Sequence, residues 1–174
     1  ICDLSVNLLC NVDALPEAAA RYFGAKAAQL ATLCRIEGIV TPGGFVLPFS
    51  AYQAHLESAG LLAPIDAMLN DDGFRRSAAQ RAQDLAALRA GILTHPVDPS
   101  LLRQVAQRAR AVDGRRPWIC RSSSNAEDLP GFNGAGLYES TVIPPNAPAE
   151  QIADGLRMVW ASVWLQRAFE ERDW

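Results

Sequence analysis

A chain of 174 residues, 49% hydrophobic and 20% charged, is long enough to form a globular core that needs no disulfide or metal to hold it. The formal net charge is -3 and the basic residues are spread along the chain, which argues against a dedicated nucleic-acid surface. The four cysteines are scattered without a CxxC pair, and with only two histidines the chain has no zinc-ligand spacing. No apolar run is long enough for a membrane span. These features favour a cytoplasmic location.

The first part of the chain predicts helices around one short strand. Residues 17–34 are Ala-rich and predict a helix that Gly24 breaks. The apolar run 45–47 predicts a buried strand, and helices are predicted from a cap at or near Ser50 and over 61–69. After Gly24 the helical spacing predicts one buried stripe, made of Ala27, Leu30, Ala31 and Cys34.

The second part predicts two amphipathic helices followed by strands. The helices cover 76–93 and 99–112, and a strand covers 117–120. Residues 122–136 have loop composition, and 137–143 predicts another strand. These elements indicate a mixed α/β, or α+β, layout that is rich in helix and has a small sheet, but they do not give the strand order.

A last helix is predicted from near Pro148, with Glu150 in its first turn. Its inner face is predicted to consist of Ile152, Leu156, Val159, Trp160 and Val163. The chain opens at Ile1 without a Met and closes inside a predicted helix, so we expect it to be cut at both ends.

The first candidate site is Lys26, the only lysine among 16 basic residues. If a helix restarts at Gly24, Lys26 lies in its first turn, where a cation opposes the helix dipole. A phosphate bound by the ammonium and the helix N–H groups would remove that conflict. In the alternative interpretation the helix runs unbroken from residue 17 and Lys26 is a solvated mid-helix residue. The P-loop spacing is absent.

The second candidate is the run 121–129, which follows a predicted strand. Arg121 at the strand end has a planar guanidinium that suits a phosphate, and the serines 122–124 and Asn125 add donors. In the alternative interpretation Arg121 pairs with Glu127 or Asp128, and the serines only end the strand. The two interpretations are compatible.

The third candidate is a glycine-rich loop over 131–136. Gly131, Gly134 and Gly136 give the backbone the freedom to bring N–H groups close to a phosphate. The spacing is not GxGxxG, and Asn133-Gly134 is also a strong turn pair, so a simple hairpin turn is the alternative.

Taken in order, these segments resemble the N-terminal nucleotide-binding region of the phosphoenolpyruvate synthase family, which includes pyruvate phosphate dikinase, the glucan water dikinases and rifampicin phosphotransferase. The resemblance covers residues 22–174. Its motifs are GGKxANL at 24–30, VPPGF at 40–45 and RSSxxxEDL at 121–129, with the loop version most similar to the glucan water dikinase branch. Ala25 and Gly43 depart from the family pattern.

The resemblance implies the first part of an ATP-grasp-like domain over 1–174, with 1–21 as a lead-in. Lys26 and Arg121 would contact the phosphates of ATP and converge on one cleft, while a mobile loop closes over them. The further residues implied in ATP binding are Ser122, Ser123, Gly131, Gly134 and Gly136.

The implied parent protein transfers a phosphoryl group from ATP, with Mg²⁺, to an enzyme histidine and then to pyruvate or another acceptor. Its metal ligands, the other half of the grasp domain and the phosphohistidine domain are expected beyond Trp174, so this chain alone is expected to be inactive. His55 and His95 lie outside any such motif, and we expect them in the core or on the surface.

Two other classes of protein stay open. The chain could be a nucleotide-binding module of a regulatory protein that has lost catalysis, or a helical interaction domain whose loop residues are structural. The presence of both Lys26 and Arg121 disfavours the interaction domain.

Overall fold

The computed structural model describes residues 2–124 and 136–172. In these two ranges the strands are β1 (Cys10–Asn11), β2 (Phe45–Val46), β3 (Trp118–Arg121) and β4 (Ser140–Ile143). The helices are α1 (Ala20–Phe23), α2 (Ala25–Cys34), α3 (Phe49–Ser58), α4 (Leu62–Asn70), α5 (Asp72–Arg76), α6 (Ala78–Thr94), α7 (Pro99–Asp113), α8 (Ala149–Ser162) and α9 (Gln166–Arg172). The predicted helix-rich α+β layout is confirmed.

The strands form two small antiparallel sheets. β1 pairs with β2, and Cys10 lies opposite Val46. β3 pairs with β4 in a register that sets Trp118 opposite Ile143 and Arg121 opposite Ser140. This pairing is the part of the topology that the sequence pattern could not give.

The largest core cluster lies where α7 and α8 pack against the β3–β4 sheet. Apolar residues of α8 recur every three or four positions, so one face of the helix covers the sheet. Gly155 lets α8 approach closely, because a Cβ there would lie 2.6 Å from a terminal methyl group of Ile143. The buried members of this cluster are Leu9, Val97, Val105, Ile143, Ile152, Ala153 and Leu156.

Two further clusters extend the core along α8 and α9. Leu56, Ile65, Ile92 and Ala161 join α3, α4, α6 and α8. Next to them, a smaller cluster of Phe74, Leu85 and Phe169 joins α5, α6 and α9. Helix α8 therefore contributes to both the cluster on the β3–β4 sheet and the cluster of α3, α4 and α6.

The segment before α1 belongs to the packed structure. A 3-10 turn (Val12–Ala14) follows β1, and the carbonyl of Gly44 accepts a hydrogen bond from the N–H of Val12. Val12, Leu15 and Ala19 are buried against α1 and α2. The predicted stripe of α2 lies in this same cluster, which fixes α2 against the rest of the chain.

The helix predicted to start at or near Ser50 begins at Phe49, but Ser50 does not cap it. Pro48 occupies the cap position of α3 and no side chain caps this end, while the Ser50 hydroxyl donates to the carbonyl of Val6. A tertiary hydrogen bond, invisible in the local sequence, takes the side chain that would cap the helix. None of the helices in the described residues has the length and apolar character needed to cross a membrane.

Candidate functional site

Lys26 is the second residue of α2. Helix α1 ends at Phe23, and Gly24 interrupts the helix with φ +88° and ψ 168°, a backbone conformation that glycine alone adopts at low cost. The predicted break at Gly24 is confirmed, and the alternative of an unbroken helix is wrong. The first turn of α2 contains no acidic residue, so the Lys26 ammonium is not offset by a carboxylate of its own helix turn.

Arg121 is the last residue of β3, at the end of the strand as predicted. Trp118 and Cys120 pack against the core, and burial raises the pKa of the Cys120 thiol to about 12. Because side chains alternate along a strand, Ile119 and Arg121 point to the other face, where both are exposed. The backbone of Arg121 is therefore fixed by a sheet pair while its side chain reaches solvent.

The segment after β3 is bound to the start of α2. The Ser123 Oγ accepts a hydrogen bond from the Ala27 N–H at 3.0 Å, and the Ser124 carbonyl accepts one from the Ala25 N–H at 2.9 Å. Gly24 touches the same segment so closely that a Cβ there would lie 2.2 Å from the Ser123 carbonyl oxygen. The two predicted motifs thus meet in space, joined at the residues on either side of Lys26.

These contacts correct one part of the phosphate hypothesis. We expected the N–H groups at the start of α2 to point at a phosphate together with the Lys26 ammonium. The N–H groups of Ala25 and Ala27 instead bind Ser124 and Ser123. A helix start leaves only its first few N–H groups without a partner in the helix, so the protein itself uses two of them.

The Lys26 side chain reaches toward the strand that pairs with β3. Its Nζ lies 5.9 Å from the centroid of the Tyr138 ring, within the range of a cation–π contact. Tyr138 precedes β4 by two positions, and Ser140, the first residue of β4, lies directly opposite Arg121. Lys26 and Arg121 therefore adjoin the same short stretch of chain. That their charged groups grip one triphosphate stays a prediction.

Sequence reasoning missed Tyr138 and Ser140 as neighbours of the site. Tyr138 is half-buried, and its hydroxyl accepts a hydrogen bond from Nη1 of Arg172 at 3.4 Å. Nothing in the spacing marks either residue, since their position depends on the register of β3 and β4. Tyr138 lies inside the strand predicted over 137–143, where an aromatic residue is too common to single out, and the observed strand begins only at Ser140.

The serines and glycines that were also predicted to bind phosphate lie in several different places. Ser122 is 8% exposed and points into the molecule, and Ser123 caps α2. Gly136 has φ +76° with open space around its Cα, as a turn glycine requires. Gly131 and Gly134 lie outside the described residues, as do Asn125, Glu127 and Asp128. Roles for all of them in phosphate binding stay predictions.

Comparison with known proteins identifies the family of the chain. The family model described as "Pyruvate phosphate dikinase, AMP/ATP-binding domain" matches residues 20–173. The chain belongs to this family. The match covers both segments that meet at Ser123, so the contact described above lies inside an ATP-binding domain.

Curated relatives of this ATP-binding domain are much longer proteins. Phosphoenolpyruvate synthase of Aeropyrum pernix is 29% identical over 157 residues, which are 86% of this chain and 18% of that protein. Rifampicin phosphotransferase of Streptomyces sviceus is 30% identical over 183 residues, 98% of this chain and 19% of the relative. Phosphoenolpyruvate synthase of Escherichia coli is 28% identical over 138 residues, 78% of this chain and 17% of the relative. The chain spans about a fifth of their length, and the suggested glucan water dikinase branch stays a prediction.

The ATP-binding domain offers no metal centre within the described ranges. Residues 2–124 and 136–172 contain no group of three or more His, Cys, Asp or Glu side chains that could hold a metal ion. His55 is 4% exposed and its Nε2 lies 3.1 Å from the carbonyl oxygen of Ile92, so it belongs to the core. The expectation that His55 has a packing role is therefore confirmed.

Proposed function

We propose that this chain supplies the phosphate-binding part of the ATP site of a phosphotransferase, with Lys26 and Arg121 as the residues that contact the phosphates. The observation that carries the proposal is the joint between α2 and the segment after β3. It joins the helix start that carries the only lysine to the segment that follows a strand-end arginine, 95 positions later in the chain (121 − 26). Membership of an ATP-binding family gives this pair of cations a ligand of matching charge.

The two cations suit different parts of a triphosphate. The Arg121 guanidinium is planar and donates from a fork that fits two phosphate oxygens, and β3 holds its backbone in place. The Lys26 ammonium is a compact charge on a flexible stem, able to follow a phosphoryl group during transfer. Ser122 and a loop that contains Gly131, Gly134 and Gly136 would complete this end of the site, and Ser123 would support it from the start of α2.

The reaction we propose for the whole protein is transfer of a phosphoryl group from ATP to an enzyme histidine and then to pyruvate or another acceptor. Mg²⁺ would neutralise charge on the phosphates, held by carboxylates outside the described ranges. The second half of the ATP-grasp domain and the histidine-bearing domain would come from other parts of the same protein. The roughly fivefold greater length of the relatives supports this division.

We assign recognition of the phosphoryl acceptor to those other parts of the protein as well. The relatives include a phosphoenolpyruvate synthase and a rifampicin phosphotransferase, so proteins with similar ATP-binding domains carry names that point to different acceptors. We therefore propose that this domain handles ATP and leaves the choice of acceptor to the rest of the protein.

The test uses the full-length protein that carries this chain. Arg121→Ala and Lys26→Ala are each expected to lower phosphoryl transfer by about 100-fold or more, the effect of removing one donor that stabilises transition-state charge. Arg76→Ala is the matched control, because Arg76 is an exposed arginine on α5 whose partner among the described residues is the likewise exposed Asp72. Labelled ATP and detection of phosphohistidine would follow the transfer.

Each outcome of this test has a distinct meaning. Normal transfer by Arg121→Ala would show that Arg121 is structural and would overturn its assignment. ATP binding by the wild-type protein without any phosphohistidine or phosphorylated acceptor would instead favour a regulatory nucleotide-binding module. The wild-type experiment therefore separates the two functions before any variant is compared.

A further inference from the structure

We propose that Ser123 is a positioning residue, whose hydroxyl caps α2 and thereby sets the place of Lys26 relative to Arg121. The inference rests on the proposed function and gives Ser123 a role other than direct phosphate binding. Lys26 lies between Ala25 and Ala27, the two residues whose N–H groups bind the segment after β3. The backbone of Lys26 is therefore held on both sides by the segment that begins two residues after Arg121.

The source of the cap distinguishes α2 from other helices of the chain. Helices α5, α6 and α7 are capped by their own preceding residues, which are Asp71, Ser77 and Asp98. The cap position of α2 is Gly24, which has no side chain, and the accepting oxygen comes from Ser123, 96 positions away from Ala27. A cap from the preceding residue is the usual way to satisfy such an N–H group, but φ +88° and the Ser123 atoms 2.2–2.5 Å from the Cβ position exclude a side chain at position 24. The distant cap satisfies it and also ties α2 to β3.

Gly24 and Ser123 fit together as one joint. With φ +88° Gly24 turns the chain sharply between α1 and α2, and its missing Cβ leaves room for the Ser123 carbonyl and hydroxyl. The space a Cβ would need is occupied by three Ser123 atoms at 2.2–2.5 Å. This close fit leaves little freedom for α2 to slide along the end of β3.

Such a joint matters because phosphoryl transfer depends on placement. A displacement of about 1 Å at a reacting centre can cost roughly 100-fold in rate. The direction of the Cα–Cβ bond of Lys26 sets the region that its ammonium can reach, and the contact with the Tyr138 ring, 5.9 Å from Nζ, restrains the flexible stem within that region. Ser123 fixes that direction without touching the ligand.

The experiment measures the Kd for ATP, by calorimetry, of the full-length protein and of three variants. Ser123→Ala removes the cap, Ser77→Ala removes an equivalent cap from α6, and Lys26→Ala removes the ammonium. We expect Ser123→Ala to raise the Kd about tenfold, because misplacement of Lys26 forfeits much of its contact. Ser77→Ala should lower the thermal midpoint about as much as Ser123→Ala does, because each variant loses one helix cap. Its Kd for ATP should nevertheless change by less than about twofold.

A double variant separates positioning from direct contact. If Ser123 acts through Lys26, Ser123→Ala adds less than about a twofold change once Lys26 is already alanine. If Ser123 donates to a phosphate itself, the two effects multiply and the positioning role is overturned. An unchanged Kd in Ser123→Ala alone would overturn it too, while a normal Kd in Lys26→Ala would overturn the proposed function instead.

A second substitution serves if Ser123→Ala does not fold. Ser123→Cys keeps nearly the same shape, but its thiol is a poor acceptor and weakens the cap. The Kd should rise in this variant as well, and the rise should again disappear when Lys26 is alanine. A Cys variant with wild-type affinity would contradict the inference.

Discussion

The rings of His55 and His95 meet edge to face, with centroids 5.3 Å apart. His55 is buried, its Nε2 faces the Ile92 carbonyl, and its Nδ1 has no hydrogen-bond partner among the described residues. His95 makes its own contact with the Ser58 hydroxyl at 3.0 Å. A proton added to Nδ1 of His55 would therefore be buried without an acceptor.

Acid is therefore expected to destabilise the fold through His55. Burial lowers the pKa of His55, and the nearby His95 ring and Arg157 guanidinium lower it further. The unfolded chain binds a proton at its ordinary pKa of 6.5 while the folded chain resists it, so stability falls as the pH drops below about 6.5. Urea unfolding at pH 7 and pH 5 would measure the loss.

His55→Gln isolates this effect. A glutamine can donate to the Ile92 carbonyl in place of Nε2 but does not titrate, so the loss between pH 7 and pH 5 should shrink. His95→Gln is the matched control, because it leaves His55 free to titrate. An unaltered pH dependence in His55→Gln would place the acid sensitivity elsewhere.

Gly24→Ala is expected to be severely destabilising. The change forces a non-glycine residue into a glycine-only backbone conformation and places a methyl group 2.2 Å from the Ser123 carbonyl oxygen, so we expect a loss of more than about 3 kcal/mol. Gly38→Ala provides the comparison, since Gly38 has φ +82° but nothing within 4 Å of a new Cβ. The free energy of unfolding should fall by only about 1 kcal/mol in Gly38→Ala. Equal losses in urea titrations would mean that the contact with Ser123 is unimportant.

Replacing Tyr138 should weaken ATP binding through the ring. Tyr138→Leu removes the cation–π contact with Lys26, and a contact of about 0.5–1 kcal/mol corresponds to a two- to fivefold rise in the Kd for ATP. Tyr138→Phe keeps the ring and loses only the hydroxyl that faces Arg172, so its Kd should stay within about twofold. Similar Kd values for the two variants would contradict a role for the ring.

Residues 1–174 alone are expected to bind ATP weakly or undetectably. The site within the described residues offers cations for the phosphates, and the proposal assigns the Mg²⁺ ligands and the second half of the ATP-grasp domain to other segments of the protein. Every 1.4 kcal/mol lost is a factor of ten in affinity, so a half-built site loses several powers of ten. Calorimetric titration of the 174-residue chain beside the full-length protein would measure the difference. Tight ATP binding by residues 1–174 alone would contradict the assignment of part of the ATP site to other segments of the protein.

Local chemistry was enough to predict most of the elements. The break at Gly24, the helices on both sides of Pro96 and the strand before Arg121 follow from glycine, proline and apolar periodicity within a few residues. Ser50 is the exception. A carbonyl 44 positions earlier holds its hydroxyl, and a window of ten residues contains no sign of that partner.

The site was predictable in its motifs but not in its contacts. Lys26 and Arg121 stood out by residue type and by their place at element ends. The use of Ser123 as the cap of α2 could not be read from the sequence, because it depends on how two distant segments pack. The same holds for Tyr138, which approaches Lys26 only because β4 pairs with β3 in one particular register.

The distance in sequence between Ala27 and Ser123 has a consequence for biosynthesis. Helix α2 leaves the ribosome long before the serine that caps it, because 96 positions separate the two partners and helices α3 to α7 lie between them. This contact can form only after β3 and Ser123 have been made, and closing so long a loop adds an entropic cost. A nascent chain that stalls before β3 would contain helices α2 to α7 but not the contacts between α2 and the segment after β3. Assembly of this end of the proposed ATP site therefore has to wait until synthesis has passed Ser124.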